Sequence, residues 1–200
     1  MRTAAIALFA TASLGCSNDI SQDRAVAVIV PDAQASQPAL GDALTVDPAK
    51  SKVQALGAKI TGTHDVFFPS FAGELKLDGA TPTAIAVTVN MGGLKSDHDR
   101  LTGHLQGPEF FDVASFPTAS FTSTAIAAGA EGGTHTVTGD LVIHGVTQRV
   151  SFPATIVVSE GAMKATSEFV IDRQDFGIAY PGMPDDLIKD EVALTIDLAS

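Results

Sequence analysis

The feature that most constrains the fold is an alternation of apolar and polar residues that recurs from residue 44 to the C-terminus. In the run TAIAVTVNM, the residues Ile85, Val87, Val89 and Met91 fall on one face. A period of two is typical of strands that bury one face of a sheet. The apolar positions of the later runs are Val137, Gly139, Leu141 and Ile143; Val150, Phe152, Ala154, Ile156 and Val158; Met163, Ala165, Ser167, Phe169 and Ile171; and Val192, Leu194, Ile196 and Leu198.

Residue pairs that favour turns separate these runs, among them Asp78-Gly79, Gly132-Gly133 and Glu160-Gly161. The spacing predicts antiparallel hairpins and an all-β sandwich or barrel. A barrel of about eight strands is either filled by its own side chains or holds one slim ligand. We predict roughly eight strands, at 44–47, 52–60, 71–78, 83–90, 117–127, 135–144, 149–158 with 162–172, and 190–198.

Many of the predicted inward positions carry small residues. A densely filled core would place larger groups at more of these positions, so their size favours an internal cavity. A packed sandwich with glycines at bulges is the alternative, and composition does not decide between the two. The small inward residues are Gly57, Gly73, Ala119, Gly139, Ala154 and Ala165.

One segment, KSDHDRLTGHLQG, is predicted to form a short helix. Ser96 or Asp97 is placed to cap it, and Leu101 and Leu105 lie on one face. Gly107 and Pro108 end the helix and begin a connection rich in phenylalanine, which leads into the strand at residue 117. Four of the 11 Phe residues of the chain fall between His104 and Phe121. Long connections of specific composition are usually functional.

The N-terminus has the features of a secretory signal, because Arg2 precedes an apolar run over 4–12 and small residues follow. The run Ser13-Leu14-Gly15-Cys16 is similar to a bacterial lipobox, although Ser13 stands where Leu is usual. We therefore predict a signal peptide over residues 1–15 and lipidation of Cys16, the only cysteine. The alternative is an ordinary signal peptide that is cut nearby.

Residues 16–42 are rich in Ser, Gln, Asp, Pro and Ala and are predicted to form a flexible tether. Within this tether, the apolar patch at 25–30 is either a short strand or an apolar part of the linker.

The charge balance excludes some classes of partner. The chain has 12 Lys and Arg against 23 Asp and Glu, a formal net charge of −11, and its basic residues do not cluster. This argues against nucleic-acid binding and against electrostatic docking on anionic lipid. The chain has no Gly-x-Ser-x-Gly elbow, phosphate loop or dinucleotide fingerprint, and lipidation would consume its only thiol. We expect a protein that is not an enzyme.

Five segments carry a resemblance to a known family. They are DPAKSKV at 47–53, FAGELKLDG at 71–79, DHDRLTGHLQGPEFFDVASFPTASFTST at 97–124, VTGDLVIHGVTQRVSF at 137–152, and IDRQDFGI at 171–178. In this order they resemble the YceI-like family of polyisoprenoid-binding bacterial envelope proteins. The chain departs from the family at Ala43-Leu44-Thr45-Val46-Asp47, which lacks the aromatic residue that often precedes the first Asp.

The resemblance implies that residues 43–200 form an extended antiparallel eight-stranded barrel of lipocalin-like shape, with one short helix at an end. It implies an apolar channel for an isoprenoid lipid, such as a quinone tail or a polyprenyl chain, and no other cofactor. The expected ligand-binding residues are Val87, Val89, Leu101, Leu105, Phe110, Phe111, Phe121, Leu141, Ile143, Phe152, Ile156 and Phe169. The identity of the ligand does not carry over, because the family is diverse in its pocket.

Three polar residues near the predicted helix are assigned either to a ligand head group or to structure: His64, Arg100 and His104. For His104 we expect a hydrogen bond to the barrel end. For Arg100 we expect an ion pair with Asp97, Asp99 or Asp112. No metal site is predicted, because His98 and His104 are six positions apart and share no helix face. A metal site made of His64, His98 and His104 with Asp97 or Asp99 is the weaker alternative.

Two functions follow from these observations. The first is a carrier or reservoir of isoprenoid lipid in the bacterial periplasm, held at a membrane by the lipid anchor on Cys16. The second is a non-catalytic envelope stress or interaction lipoprotein, whose barrel is a scaffold and whose acidic surface or 180–188 loop contacts a partner. The oligomeric state is left open, with a homodimer among the alternatives.

Overall fold

Strands make up most of the chain. The computed structural model describes residues 19–31 and 41–200, so the predicted signal peptide and residues 16–18 and 32–40 of the predicted tether, Cys16 included, lie outside the described residues. Eight strands have eight or more residues: β4 (Lys52–Lys59), β6 (Phe71–Asp78), β7 (Thr81–Asn90), β9 (Thr118–Ala130), β10 (Gly133–Ile143), β11 (Val146–Ser159), β12 (Ala162–Asp172) and β14 (Asp186–Ala199). Six are shorter: β1 (Ala25–Val26), β2 (Val28–Ile29), β3 (Asp42–Thr45), β5 (Gly62–Phe67), β8 (Lys95–Ser96) and β13 (Gly182–Met183).

The main sheet runs β3-β6-β7-β9-β10-β11-β12-β14-β4-β5-β8, and its neighbouring strands are antiparallel. The sheet curls so that its inner face encloses the core. One backbone hydrogen bond, from Asp47 N–H to the carbonyl of Ala199 at 2.8 Å, joins the residues after β3 to the end of β14. The all-β, barrel-like class predicted from the alternation is confirmed.

The number of strands differs from the prediction of roughly eight, because the described residues contain 14. The longest addition is β5, which pairs with β4. Its alternation is hard to read from sequence, because the half-buried His64 lies on the same face as buried Val66 while Phe67 faces outward. The other additions have four residues or fewer, and pairing with a neighbour defines them more than their own composition does.

The N-terminal segment 25–30 is part of the barrel wall. β11 and β12 pair directly over Thr155–Ser159 and Ala162–Thr166 and then separate. The segment lies between the separated parts, since β1 pairs with β12 and β2 pairs with β11. Ala27 N–H donates to the Val170 carbonyl at 2.8 Å. Of the two alternatives for this patch, the structure has the short strands, and we call residues 25–30 the strap.

One end of the barrel is covered by the helix α1 (Asp99–Gln106) and the connection after it. Leu105 is buried on the inner face of the helix, and Leu101 is half-buried beside it. The predicted cap was wrong: the N-cap is His98, whose side chain makes no capping hydrogen bond. Ser96 is instead the last residue of β8, and Asp97 contacts His64. In the described part of the chain, no helix has the length and apolar character needed to cross a membrane.

Candidate functional site

The barrel encloses a cavity of about 160 Å³. Its wall is built from the inward residues of seven strands and from residues of the connections at the helical end. The apolar residues that line it are Val53, Ala55, Phe68, Ile85, Val87, Val89, Met91, Phe111, Ala119, Phe121, Val137, Leu141, Ile143, Phe152, Ala154, Ala165, Phe169, Ile171, Phe176, Ile178, Val192, Leu194, Ile196 and Leu198. Such a wall offers dispersion contacts and burial to an apolar ligand but very few hydrogen bonds.

The small inward residues have two different roles. Ala119, Ala154 and Ala165 line the cavity and leave space there. The space at Gly139 is filled, because a Cβ at that position would lie 2.5 Å from the ring of Phe121. The same holds at Gly73, where a Cβ would meet Val46 and Val87. The alanines therefore create the cavity, whereas these two glycines admit larger neighbours.

Three phenylalanines form an aromatic group on the cavity wall. The rings of Phe121 and Phe152 are 5.4 Å apart between centroids, and those of Phe152 and Phe169 are 4.0 Å apart and nearly parallel. Phe152 and Phe169 are both buried. Stacked aromatic pairs contribute beyond their buried area, so the Phe152–Phe169 pair stabilises this part of the wall.

Among the described residues that line the cavity, one is charged: Arg173, which is only 5% exposed. Its guanidinium donates to the carbonyl of Lys189 at 3.1 Å, to the carbonyl of Ile178 at 2.6 Å and to Asp190 Oδ1 at 2.8 Å. These bonds hold the first part of β14 and the residue Ile178 to the turn that follows β12. They also satisfy a charge that would be costly to bury alone.

The phenylalanine-rich connection packs at the helical end of the barrel. The ring of His104 meets Phe110 and Tyr180 edge to face, at 5.0 and 5.1 Å between centroids. Phe116 packs against His144 at 4.5 Å. For His104 the structure has a side-chain hydrogen bond at this end of the barrel, between His104 Nε2 on the helix and Glu109 Oε2 in the connection, at 2.9 Å.

The structure divides the residues predicted to bind ligand into two groups. Eight of them line the cavity: Val87, Val89, Phe111, Phe121, Leu141, Ile143, Phe152 and Phe169. Four others pack outside the cavity wall, Ile156 in the core and Leu101, Leu105 and Phe110 at the helical end.

The polar residues predicted beside them do not reach the cavity either. His64 contacts Asp97, and Arg100 is exposed. The ion pair predicted for Arg100 was wrong, because within residues 19–31 and 41–200 it makes none.

Sequence reasoning missed several residues of the wall. Phe176 and Ile178 lie beyond the end of β12, in a 3-10 turn and the residues after it, where the alternation has stopped. Phe68 lies just after β5. Arg173 makes three hydrogen bonds to the protein and also faces the cavity.

The chain was compared with known proteins. The sequence profile of the YceI-like domain matches residues 44–200. A UPF0312 protein of Pseudomonas fluorescens strain SBW25 is 35% identical over 152 residues, which are 72% of this chain and 77% of that protein.

Two solved structures are similar in fold. The crystal structure of BcnA from Burkholderia cenocepacia aligns with a TM-score of 0.68 at 26% identity, over 78% of this chain and 99% of BcnA. A polyisoprenoid-binding domain from Saccharophagus degradans, implicated in plant cell wall breakdown, aligns with a TM-score of 0.62 at 15% identity, over 78% of this chain and 95% of that domain.

Proposed function

Because the chain belongs to the YceI-like family, we propose that it binds the apolar chain of an isoprenoid lipid, such as a quinone or a polyprenyl lipid, inside its barrel. The observation that carries this proposal is the cavity, whose wall is apolar apart from Ser120, Thr166, Ser167 and Arg173. An apolar chain gains about 25 cal/mol for each Å² of surface that it buries there. The polyisoprenoid-binding domain of similar fold supports the same class of ligand.

The size of the cavity limits how a long chain is held. At about 160 Å³ it is smaller than the roughly 300–1,000 Å³ of common ligand sites. It is close to the roughly 150 Å³ of an engineered apolar cavity that holds one benzene. A chain of several isoprene units therefore has to widen the barrel as it enters.

The proposed cellular role is that of a non-catalytic carrier or reservoir in the bacterial periplasm. It rests on the signal-like residues 1–15 and on Cys16, whose lipidation would hold the barrel beside a membrane that contains such lipids. A barrel on a tether at that surface can exchange an apolar ligand with the bilayer over a short distance.

Organic extraction followed by mass spectrometry tests the proposal. The full chain, expressed with export, is expected to carry about one isoprenoid molecule per protein. A matched pair of variants locates the ligand on β12: Ala165 is buried and lines the cavity, whereas Ala162 is exposed on the same strand. We expect Ala165→Leu to lose the lipid and Ala162→Leu to keep it. Extracts without isoprenoid, even after incubation with quinones and polyprenyl lipids, would contradict the proposal.

A group of exposed apolar residues, which we call the apolar tip, favours the second candidate, an interaction lipoprotein that uses the barrel as a scaffold. Ile60, Met183 and Leu187 are 58%, 61% and 46% exposed. They lie together, since Ile60 N–H donates to the Leu187 carbonyl at 3.2 Å and β13 pairs with the start of β14. Two results together would favour this candidate. The purified chain would carry no lipid, and Met183→Asp would abolish the function of the protein in cells while the fold is retained.

A further inference from the structure

Three side chains with metal-binding atoms lie together at the helical end, outside the cavity wall. They are His64 on β5, Asp97 after β8 and His98 at the start of α1. One ligand atom from each lies within 4.8 Å of the other two. His64 Nδ1 is 3.1 Å from both carboxylate oxygens of Asp97, and the rings of His64 and His98 are 5.8 Å apart between centroids.

The backbone fixes this arrangement. β5 and β8 pair at Val66 with Ser96, and Asp97 N–H donates to the Asp65 carbonyl at 3.2 Å, which places Asp97 next to His64. Ser96 Oγ donates to the His98 carbonyl at 2.9 Å and accepts from His98 N–H at 3.2 Å. The helix then starts at Asp99. The three donor residues are therefore held by strand pairing and by a turn, so little chain ordering is needed when an ion binds.

We propose that His64, Asp97 and His98 bind a divalent transition-metal ion of the zinc, nickel and copper class. Two imidazoles and one carboxylate are the ligand types that these ions favour, and hard cations such as Mg²⁺ and Ca²⁺ prefer oxygen alone. Small rotations of the exposed His98 side chain bring its nitrogen to the ion. The remaining coordination positions face solvent, where water or a second ligand completes them.

The surroundings favour a cation. Asp65 and Asp99 lie next to the ligands in sequence, and the chain as a whole has a net charge of −11. Lys95 and Arg100 are the nearby opposing charges in the sequence, and both are exposed. His98 has no capping hydrogen bond to give up, so its imidazole is available to the ion.

A bound ion would connect three elements at the sheet edge: β5, β8 and α1. Because an ion that binds only the folded chain stabilises it by mass action, the melting temperature would rise with metal concentration. The site is separate from the lipid cavity, so it does not depend on the proposed function. It secures the edge of the sheet next to the helix that covers the barrel.

Calorimetric titration of the tag-free full chain with zinc chloride tests the site. We expect one ion per chain, with a dissociation constant that rises on the order of 10-fold or more in His98→Ala and in His64→Ala. His135→Ala is the matched control, because His135 lies on β10 away from the cluster and pairs with Thr134 Oγ1 at 2.8 Å. His98 is exposed, so its variant keeps the fold, which the melting temperature without zinc verifies.

Two results would overturn the site. One is the absence of saturable zinc binding by the unaltered chain. The other is a loss of affinity in His135→Ala as large as that in His98→Ala, which would show zinc on scattered surface histidines.

Discussion

The rings of Phe152 and Phe169 stack at 4.0 Å with an angle of 7° between their planes, although their strands are not paired there. If the register that pairs Thr155 with Thr166 continued, it would pair these two residues three positions further along β11 and β12. The ladder ends at Thr155, two residues before Pro153, which has no N–H to donate. Ser167 Oγ donates to the Pro153 carbonyl at 2.6 Å instead. On the inner side of the wall the stacked rings connect the two strands. In the wall itself the strap fills the gap between them.

Loosening the strap is expected to open this part of the wall. Ala27→Pro removes the N–H that donates to the Val170 carbonyl at 2.8 Å, so a side opening forms beside the phenylalanine stack. We expect a lower free energy of unfolding and a several-fold faster uptake of N-phenyl-1-naphthylamine, an apolar fluorescent dye, in stopped-flow experiments. Ala27→Ser keeps the N–H and serves as the control. Equal uptake rates in the two variants would show that the strap does not limit access.

Truncating one ring of the stack is expected to enlarge the cavity. Phe169→Ala removes a buried ring, and such changes cost about 3–5 kcal/mol of folding free energy, part of it for the space left behind. Chemical denaturation measures this loss. Phe67→Ala is the control, because Phe67 is 37% exposed and lies outside the wall. A bound isoprenoid would restore part of the lost stability in Phe169→Ala. A loss no larger than that of the control would contradict the role of the stack.

The sequence predicted the long strands well because their burial is one-sided. β6 and β12 have the predicted bounds 71–78 and 162–172. β6 alternates throughout, and the alternation of β12 is interrupted near its end by Val170, which is buried in a second, smaller cluster. β5 was not predicted because its inner face carries a polar residue, His64. Strand pairing, which is not visible in one sequence, decides whether a short run such as β1 or β8 becomes a strand.

The cavity was predictable in part, because inward residues of regular strands can be counted from the alternation. Its ends were not predictable in the same way, since Phe176 and Arg173 reach it from a turn whose direction depends on three hydrogen bonds of the guanidinium. The cluster of His64, Asp97 and His98 depends on the unpredicted pairing of β5 with β8. The sequence analysis considered all three residues as metal ligands, but it could not distinguish them from His104 and Asp99.

Two glycine substitutions are expected to differ sharply. Gly139→Ala places a Cβ 2.5 Å from the Phe121 ring and 2.5 Å from the Thr122 carbonyl oxygen, and the backbone atom cannot move aside cheaply. Overpacking of this kind costs about 1–3 kcal/mol. Gly57→Ala is the matched control, because nothing lies within 4 Å of its Cβ position. Thermal unfolding of both variants measures the difference. An equal melting temperature of the two variants would show that the Phe121 ring and the Thr122 carbonyl shift to accommodate the added Cβ.

The last prediction concerns acid stability at the apolar tip. The hydrogen bond from Lys59, at 2.6 Å, lowers the pKa of Asp186 below its ordinary value of 3.8, and bonds from Thr61 add to this effect. A lowered folded-state pKa means that the contribution of this carboxylate is complete above the ordinary pKa and is lost as the pH falls through the folded value. Asp186→Asn should therefore lower the melting temperature at pH about 7 and differ much less from the unaltered chain at pH about 2. Asp185→Asn, the exposed neighbour, is the control for removing one negative charge at the same place. A difference for Asp186→Asn that stays constant across this pH range would rule out the ionised Lys59–Asp186 contact as its cause.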